Sequence, residues 1–376
     1  QHPPSFGFAR LSESRGKDWC FFVFANPVRA RTYQGGGECH GWLGIRLQLA
    51  PMSEPHDILI HVRMLDDDNV SQMQALGIVG VNLIYAAYYY RDDLKKFTES
   101  LLDEVNVWRI EIDMLKFSGP GFSHIDNRLC VLQLVNSGLT DAALFSHDGE
   151  VMQPAEHLYK KPILLLRGSF NPITRINLDM LDSARKEFTP QLGTDAEFVE
   201  ILECTTQNLL VDGEIDPDAF LRRADAIQAL GKTVLVSRFA EFHRLGSYLS
   251  RYTSAPIGII LGVSLLEAIF DEKWYEELPG GILESFGRLF KNKIRLYVYP
   301  SRAVEGGPIQ TGDQAQLAPH LRNLFAHLLE NGFIEPIPSN LVDCLHFSSA
   351  DVRRMKAESD DRWKTLVPES IVSHFE

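Results

Sequence analysis

The chain has 376 residues, which corresponds to about two domains of ordinary size. Hydrophobic residues make up 45% of it and charged residues 23%, the composition of a globular protein with a large core. The formal net charge of −13 argues against a general nucleic-acid binder, because such proteins neutralise phosphates with basic residues.

The cysteines predict a reducing compartment. They are widely spaced and form no CxxC pair: Cys20, Cys39, Cys130, Cys204 and Cys344. This pattern fits neither a disulfide framework nor a structural zinc site, so no metal site is predicted and a cytoplasmic location is expected. No apolar run approaches the ~20 residues needed to cross a bilayer, so no membrane partner is expected.

The first part of the chain mixes strands and helices. Strands are predicted at 19–25, 42–50, 57–65, 108–115 and 141–146, and helices at 69–90 and 128–138. The long apolar stretch 69–90 is interpreted as a buried helix, in which Gly77 and Gly80 permit close packing. The polar stretch 148–162 has a proline near each end and predicts a domain boundary. Residues 1–155 are therefore expected to form a separate α+β domain.

From Pro162 onward, strands and helices alternate. Strands are predicted at 162–168, 196–204, 232–237, 257–262 and 293–300, and helices at 174–188, 216–230, 239–252, 264–278 and 317–332. This alternation predicts an α/β domain over residues 160–376 with a doubly wound parallel sheet. Such sheets bind ligands at the carboxyl ends of their strands.

One predicted strand-to-helix turn has the features of a phosphate site. "LRGSFNPITRINLDML" begins at Leu166. Gly168 lets a ligand approach the backbone closely, Pro172 stiffens the turn, and Thr174 is placed to cap the helix. Helix N-termini carry unpaired N–H groups and partial positive charge, which favour a phosphate. Taken alone, the stretch is more simply an ordinary tight turn.

A second candidate phosphate motif lies near the end of the chain, in "HFSSADVRRM" (346–355). Ser348 and Ser349 can cap the following helix and offer hydroxyl and N–H groups. Arg353 lies one helical turn past Ser349 and can grip a phosphate with its guanidinium fork. An ordinary capped helix again explains the same residues.

Three blocks together resemble a known family. "GSFNPIT", then "IGIILGVSLLEAIFDEKWYEE", then "FSSADVR" with "LVPESIVSHF" are similar, in this order, to the nicotinamide and nicotinate mononucleotide adenylyltransferases of the HxGH nucleotidyltransferase superfamily. The resemblance covers about residues 160–376. It implies a Rossmann-like nucleotidyltransferase domain with ATP and Mg²⁺ as cofactors. The implied reaction transfers an adenylyl group to a phosphorylated acceptor, such as a pyridine mononucleotide, and releases pyrophosphate.

The resemblance also implies a set of site residues. The nucleotide-binding residues would be Gly168, Ser169, Phe170, Asn171, Gly262, Ser264, Ser348 and Ser349. Thr174 matches the first position of the HxGH motif, Asn177 its second histidine, and Arg353 the arginine of the second phosphate motif, so these three would be catalytic. Trp274 matches an aromatic residue that stacks on the pyridine ring, although an anchor on an amphipathic helix is an equal interpretation.

Two departures from the family pattern bear on activity. Asn177 stands where the family has histidine, and an amide can donate a hydrogen bond but cannot carry positive charge. Losing a charge-assisted contact costs ~2–4 kcal/mol in the transition state, or about 30- to 1000-fold in rate. Ser264 replaces a frequent aspartate of the family. Arg167, directly before the turn, is our candidate for a compensating cation.

The amino-terminal part has candidate residues of its own. "YQGGGECHGWLGIR" (33–46) is either a loop with a nucleophilic Cys39 activated by His40 or a hairpin loop entering a strand, and the second interpretation is simpler. The loop 117–128 contains His124, Asp126 and Arg128 and could complete a site.

Three functional hypotheses remain open at this point. The first is an adenylyltransferase with a small-molecule nucleotide substrate, favoured by the preserved "FSSADVR". The second is a catalytically impaired nucleotide-binding module that acts as a sensor or scaffold for the amino-terminal domain. The third assigns the chemistry to residues 1–155. The sequence leaves the acceptor open, and it is compatible with a homo-oligomer.

Overall fold

A computed structural model describes residues 22–25, 28–29, 39–193, 197–211 and 213–375. Contacts within the chain divide it into two compact units. Unit 1 runs to Pro154 and includes Val236–Arg238, and unit 2 comprises Ala155–Leu235 and the residues from Phe239 onward. The division after Pro154 lies inside the polar stretch 148–162.

Unit 1 contains seven described strands and three helices. The strands are β1 (Phe22–Ala25), β2 (Val28–Arg29), β3 (Cys39–Gln48), β4 (Pro55–Met64), β5 (Ile110–Ser118), β6 (Ala142–Phe145) and β7 (Val151–Met152). The helices are α1 (Asn69–Tyr89), α2 (Leu94–Ser100) and α3 (Asn127–Asn136), and Pro120–Phe122 forms a 3₁₀ turn.

An antiparallel sheet forms the centre of unit 1. Its strands run in the order β1-β3-β4-β5, with β2 also paired to β3, while β6 and β7 form an antiparallel pair. Leu43, Ile45 and Leu47 alternate with more exposed residues along β3, because successive side chains of a strand point to opposite faces. These apolar residues share one core with the inner face of α1.

Helix α1 differs from the predicted buried helix. Its inner residues, such as Leu76 and Val79, are fully buried, but Val70, Val81 and Tyr88 are exposed. By length and composition α1 could also cross a membrane, so the expectation that no apolar run approaches this length was wrong. In the structure 44% of its most apolar stretch is buried inside the protein, and length and composition alone do not distinguish a membrane-spanning helix from a core helix.

Unit 2 contains the remaining elements, except that Val236 and Ser237 at the end of one strand and Pro154 at the start of one helix belong to unit 1. The strands are β8 (Ile163–Arg167), β9 (Val199–Thr205), β10 (Leu210–Val211), β11 (Glu214–Ile215), β12 (Thr233–Ser237), β13 (Ile257–Gly262), β14 (Ile294–Tyr299), β15 (Ser301–Arg302), β16 (Ile309–Gln310) and β17 (Ile334–Pro336). The helices are α4 (Pro154–His157), α5 (Arg175–Phe188), α6 (Thr206–Leu209), α7 (Pro217–Gln228), α8 (Phe242–Leu249), α9 (Val263–Ile269), α10 (Gly281–Phe290), α11 (Arg322–Glu330), α12 (Ser349–Ala357), α13 (Trp363–Leu366) and α14 (Glu369–Phe375).

The large sheet of unit 2 has the strand order of a doubly wound α/β fold. Six strands run in the order β17-β14-β13-β8-β9-β12, and the pairings of β8 with β9, β8 with β13, β13 with β14 and β14 with β17 are parallel. If these six strands are renumbered 1 to 6 in chain order, the sheet reads 3-2-1-4-5-6 from β12 to β17. This is the strand order of doubly wound sheets. The order reverses between β8 and β13, where such sheets bind ligands beyond the carboxyl ends of the strands. The predicted α/β class is therefore confirmed, and the topology is compatible with a Rossmann-like fold.

The helix predicted at 264–278 is interrupted. Helix α9 ends at Ile269, and the carboxylate of Asp271 accepts a hydrogen bond from the N–H of Lys273 to start a separate 3₁₀ turn, Glu272–Tyr275. An aspartate in this role favours a helix start over a continuous helix. Helix α10 and strand β17 were not predicted.

Candidate functional site

The turn after β8 forms as the sequence predicts. Gly168 was expected to let a ligand approach the backbone, but in the structure it is required because the ring of Phe170 packs against it. A Cβ at Gly168 would lie 2.8 Å from the ring of Phe170, which is buried and has a positive φ of 45°. The Phe170 ring thus packs into the core, and only its backbone can face a phosphate. Ser169 and Asn171 are half-buried at the carboxyl edge of the sheet.

Helix α5 begins directly after this turn and is capped by Thr174. The Thr174 hydroxyl accepts from the N–H of Asn177, while Asn177 Oδ1 accepts from the Thr174 N–H at 2.8 Å and from its hydroxyl at 3.0 Å. Asn177 therefore completes a capping box through its oxygen. Its side-chain NH₂ group has no hydrogen-bond partner among the described residues, so it is the part of Asn177 that can donate to a ligand.

The second phosphate motif contacts the first turn directly. Ser349 Oγ donates to the carbonyl of Pro172 at 2.9 Å, and Arg353 Nη1 donates to the carbonyl of Asn171. These residues are separated by 177 and 182 positions along the chain. Folding therefore brings together the two motifs that the sequence offers only as separate candidates.

The two serines of the second motif, Ser348 and Ser349, have different structural roles. Ser348 caps α12 in a reciprocal capping box with Asp351, and Ser349 is the first helical residue. Hydrogen bonds from Ser348 hold the pKa of the Asp351 carboxyl below its usual range. Asp351 is also paired with Arg354 at 2.7 Å. Among the described residues no carboxylate is paired with Arg353, so its guanidinium keeps a positive charge beside the turn.

Strand β13 ends beside this turn. Ile260 on β13 pairs with Leu166 on β8, so Gly262 and Gly168 follow at the same edge of two adjacent parallel strands. A Cβ added at Gly262 would meet no heavy atom within 4 Å, which leaves room for a ligand. Ser264 is exposed on α9. The role of both residues in binding stays a prediction.

Trp274 is 56% exposed on the 3₁₀ turn Glu272–Tyr275, and Lys273 Nζ lies 5.1 Å from its ring centroid. A residue with this exposure does not anchor a helix to the core. Stacking on a ligand ring stays a prediction.

Arg167 does not act as the compensating cation that we considered. Its guanidinium binds both carboxylate oxygens of Glu203 on β9, at 2.8 and 3.0 Å, and donates to the carbonyl of Ala240 at 3.0 Å. Both side chains of this ion pair are buried, and the guanidinium carbon lies 4.2 Å from the ring centroid of Phe242. The charge of Arg167 is therefore neutralised within the protein, immediately beneath the turn.

A buried carboxylate ties α5 to the last residue of β14 and to the segment after β17. Asp179 accepts hydrogen bonds from the hydroxyl of Tyr299 at 2.6 Å and from the backbone and side-chain nitrogens of Asn340 at 2.8 and 2.7 Å. Burial by itself would raise the pKa of Asp179, but these hydrogen bonds outweigh it, and the pKa lies below its ordinary value.

Replacing Asp179 by asparagine is expected to destabilise the protein by about 2–3 kcal/mol at neutral pH, because its NH₂ group would face the donors of Asn340. The lowered pKa means that this stabilisation is complete above the unfolded value of about 3.9 and is lost as the pH falls through the folded value. Urea unfolding between neutral and acidic pH measures both effects. The exposed Asp182→Asn change on the same helix should alter stability by less than about 0.5 kcal/mol, and an equal loss in both variants would contradict this role of Asp179.

A groove of about 770 Å³ opens beside the start of α5. Its lining includes Arg175, Lys364, Thr365, Val367, Pro368 and Glu369. Its size is in the range of small-molecule sites. Arg175 and Lys364 are its basic residues, and Lys364 is paired with Asp361 at 3.0 Å. Neither Arg175 nor Lys364 was given a role from the sequence, although Arg175 lies within the stretch that begins at Leu166. The nearness of Arg175 to Thr174 was the available signal.

In unit 1, Cys39 and His40 do not form a reactive pair. Cys39 lies in the hydrophobic core of the unit, and His40 follows it on the opposite face of β3. His40 Nδ1 lies 3.1 Å from His61 Nε2, and His61 Nδ1 lies 2.6 Å from Asp113 Oδ1, with His61 and Asp113 buried. Residues 33–38 of the predicted loop lie outside the described part of the chain.

The loop 117–128 mainly supports local structure. Asp126 caps α3 and is paired with the guanidinium of Arg128 at 2.7 Å, and His124 is exposed. The role of this loop in completing a site stays a prediction.

Comparisons with known proteins provide no family assignment. No protein-family model matches the chain, and no curated protein matches it. Among solved structures, 37 chains match, including the Plasmodium falciparum nicotinic acid mononucleotide adenylyltransferase complexed with APC. That match has 13% sequence identity and a TM-score of 0.35, and it covers 57% of this chain and 94% of the other. It is a weak likeness to a nucleotidyltransferase fold and says nothing of the activity of this chain.

Proposed function

We propose that unit 2 binds ATP at the turn after β8 and transfers its adenylyl group to a phosphorylated acceptor, such as a pyridine mononucleotide. One observation carries the proposal. Ser349 and Arg353 contact the carbonyls of Pro172 and Asn171 at the edge where the strand order reverses. Two segments with the chemistry of phosphate binding thus meet at the place where doubly wound sheets hold nucleotides.

In the proposed reaction, an acceptor phosphate oxygen attacks the α-phosphorus of ATP. The bond from that phosphorus to the bridging oxygen breaks, and pyrophosphate leaves. The N-terminal N–H groups of α5 and the guanidinium of Arg353 would neutralise charge on the phosphates, and the NH₂ group of Asn177 would donate to them. Mg²⁺ would be held chiefly by the phosphate oxygens of the nucleotide and supply further charge neutralisation.

Replacing Arg353 by methionine tests the site. The change removes a charge-assisted contact worth about 1.5–3 kcal/mol, so ATP affinity is expected to fall by about 10- to 150-fold. Calorimetric titration with ATP and Mg²⁺ measures the loss. The matched control is Arg354→Met, which removes the neighbouring exposed arginine and should change affinity less than about twofold. Equal affinity of both variants and the parent protein would contradict the proposal.

The transfer itself is tested by the release of pyrophosphate. The protein is incubated with ATP, Mg²⁺ and a panel of phosphorylated acceptors that includes nicotinamide and nicotinate mononucleotides. Release that depends on one acceptor, and that falls in the Arg353→Met variant, supports adenylyl transfer. Absence of release across the panel would overturn the transferase proposal.

The second candidate function is a nucleotide-binding module without catalysis, which acts as a sensor or scaffold. It is favoured by Asn177, whose oxygen is already used in the capping box and which carries no charge. Tight ATP binding without release of pyrophosphate is the result expected for such a module. If ATP does not bind, both candidate functions fail.

A further inference from the structure

Arg223 is a buried arginine of unit 2 that has no carboxylate partner among the described residues. It lies on α7 and is 7% exposed. Its guanidinium makes one hydrogen bond within the described part of the chain, from Nη1 to the carbonyl of Asn208 at 3.0 Å. Nε is buried and has no hydrogen-bond partner among the same residues. Most of the five N–H groups of this guanidinium are therefore left for a ligand.

A buried guanidinium of this kind requires a counter-charge. Moving a charged group out of water is costly, and arginine stays protonated at ordinary pH, so a buried arginine is normally paired with a carboxylate. Arg167 has this arrangement in the same unit, because its guanidinium binds both carboxylate oxygens of Glu203. Arg223 binds only a carbonyl, so an anionic ligand would supply the charge that the described residues do not.

Arg223 is tied to the carboxyl end of β9, next to the turn after β8. Thr205 is the last residue of β9 and caps α6, where its hydroxyl accepts from the N–H of Asn208 at 3.2 Å. The carbonyl of the same Asn208 binds Arg223. On the neighbouring strand, the N–H of Gly168 donates to the carbonyl of Glu203 at 3.1 Å. The guanidinium is thus held at the edge of the sheet where doubly wound folds bind ligands.

The charge of Arg353 acts on the same guanidinium. The pKa of Arg223 lies below its ordinary value. The largest cause is burial, and the positive charges of Arg353 and Arg222 add to it, while Cys204 acts in the opposite direction. Arg353 itself donates to the carbonyl of Asn171 in the turn after β8. Two guanidinium groups that repel each other are both stabilised when an anion binds to them.

We propose that Arg223 is a second phosphate-binding arginine of the candidate site and that it acts with Arg353 on the phosphate groups of the ligand. The inference rests on the proposed function of unit 2. Nη1 of Arg223 is occupied by Asn208, so the edge formed by Nε and Nη2 is the one that offers two parallel N–H groups to phosphate oxygens. The phosphate belongs either to the pyrophosphate end of ATP or to the acceptor.

The neighbouring arginine provides a matched control. Arg222 precedes Arg223 on α7, but its side chain is 62% exposed and lies 3.9 Å from Asp216. Water and this carboxylate already stabilise its charge, so it requires no ligand. The two residues differ in burial and in partners but not in chemistry.

Calorimetric titration of the full chain with ATP and Mg²⁺, with pyrophosphate and with nicotinate mononucleotide tests the role of Arg223. Arg223→Met should weaken the binding of at least one of these ligands by about 10- to 150-fold, because it removes charge-assisted hydrogen bonds. Arg223→Lys keeps the charge but not the fork, so it should retain part of the affinity. Arg222→Met should change each affinity less than about twofold.

The three ligands also identify the source of the phosphate. A loss for ATP and pyrophosphate, with the mononucleotide unaffected, assigns Arg223 to the phosphates that leave. A loss for the mononucleotide alone assigns it to the acceptor. Either result supports the proposal.

Stability without ligand separates phosphate binding from a structural role. Arg223→Met should be at least as stable as the parent protein, because it replaces an unpaired buried charge by an apolar side chain. The ligand that depends on Arg223 should raise the Tm of the parent and of Arg222→Met more than that of Arg223→Met. A ligand-free Arg223→Met variant that is unfolded, or clearly less stable than Arg222→Met, would show that the arginine supports the fold and would overturn the proposal.

The outcome for Arg223 is distinguishable from the outcome for the proposed function. Unchanged affinity of Arg223→Met for all three ligands overturns this inference, while a loss of ATP binding in Arg353→Met would still support the nucleotide site. Pyrophosphate binding that depends on Arg223 in a protein that does not bind ATP supports the phosphate site and removes the nucleotide function. A protein that binds none of the three ligands contradicts both.

Discussion

Replacing Asn177 by histidine is expected to raise the rate of pyrophosphate release by about 30- to 1000-fold, measured with ATP, Mg²⁺ and the responsive acceptor. The residue lies in the first turn of α5, where a protonated imidazole would donate a charge-assisted hydrogen bond to the phosphates. The gain should decrease as the pH rises above about 6.5, because the imidazole then loses its proton. The change also removes an amide oxygen from the capping box and should cost about 0.5–1 kcal/mol of stability.

The matched control is Asn177→Gln. Glutamine can preserve the capping box at this helical position but remains neutral, so it should leave the rate within about twofold of the parent. If histidine gives no gain while ATP remains bound, the side chain at this position does not contact the transferred phosphate, and the binding-module function is favoured. A gain with glutamine as large as that with histidine would contradict the role assigned to charge.

Replacing Glu203 by glutamine is expected to destabilise unit 2 by about 3–5 kcal/mol, because it leaves the buried guanidinium of Arg167 without a counter-charge. The pair is almost wholly buried, with the Arg167 side chain 8% and the Glu203 side chain 0% exposed. It also lies directly beneath the candidate site, since the N–H of Gly168 donates to the Glu203 carbonyl at 3.1 Å. Urea unfolding measures the stability, and calorimetry measures the accompanying loss of ATP affinity.

A double variant separates the ion pair from general damage to the core. Arg167→Met combined with Glu203→Gln removes both charges, so it should be less destabilised than the sum of the single changes. Strict additivity would show that the two side chains do not stabilise each other. A Glu203→Gln loss below about 1 kcal/mol would show that the guanidinium is better solvated than its burial implies.

The site shows where reasoning from local sequence succeeds and where it fails. Thr174 was predicted as a helix cap because its position before an apolar-periodic stretch is a local signal, and the structure confirms it. The partner of Arg167 could not be predicted, because Glu203 lies opposite it only through the parallel register of β8 and β9. An arginine beside a phosphate turn and an arginine held by a buried carboxylate look the same in sequence.

Unit 1 also has features that depend on tertiary structure and that its local sequence did not predict. The separation of Cys39 from His40 was not predicted, because both residues were placed in a loop before the strand 42–50. In the structure β3 already begins at Cys39, and adjacent residues of a strand point to opposite faces. The approach of His61 to Asp113 was not predicted either, since the register between β4 and β5 shifts at a bulge beside His61. The exposed face of α1 was also not predicted, because the composition of an apolar helix does not show which of its residues pack against the core.

The sequence by itself determined the local structure of this protein: the alternating strands and helices of unit 2, the capped starts of α5 and α12, and the uncharged helix α1. These features depend on residues close together in the chain, through backbone hydrogen bonds, caps and hydrophobic periodicity. The tertiary structure alone decided the strand order and the contact of Arg353 with the turn at Asn171. It also decided that the charge of Arg167 is neutralised. These depend on packing between segments far apart in the chain, for which no short stretch of sequence carries a signal.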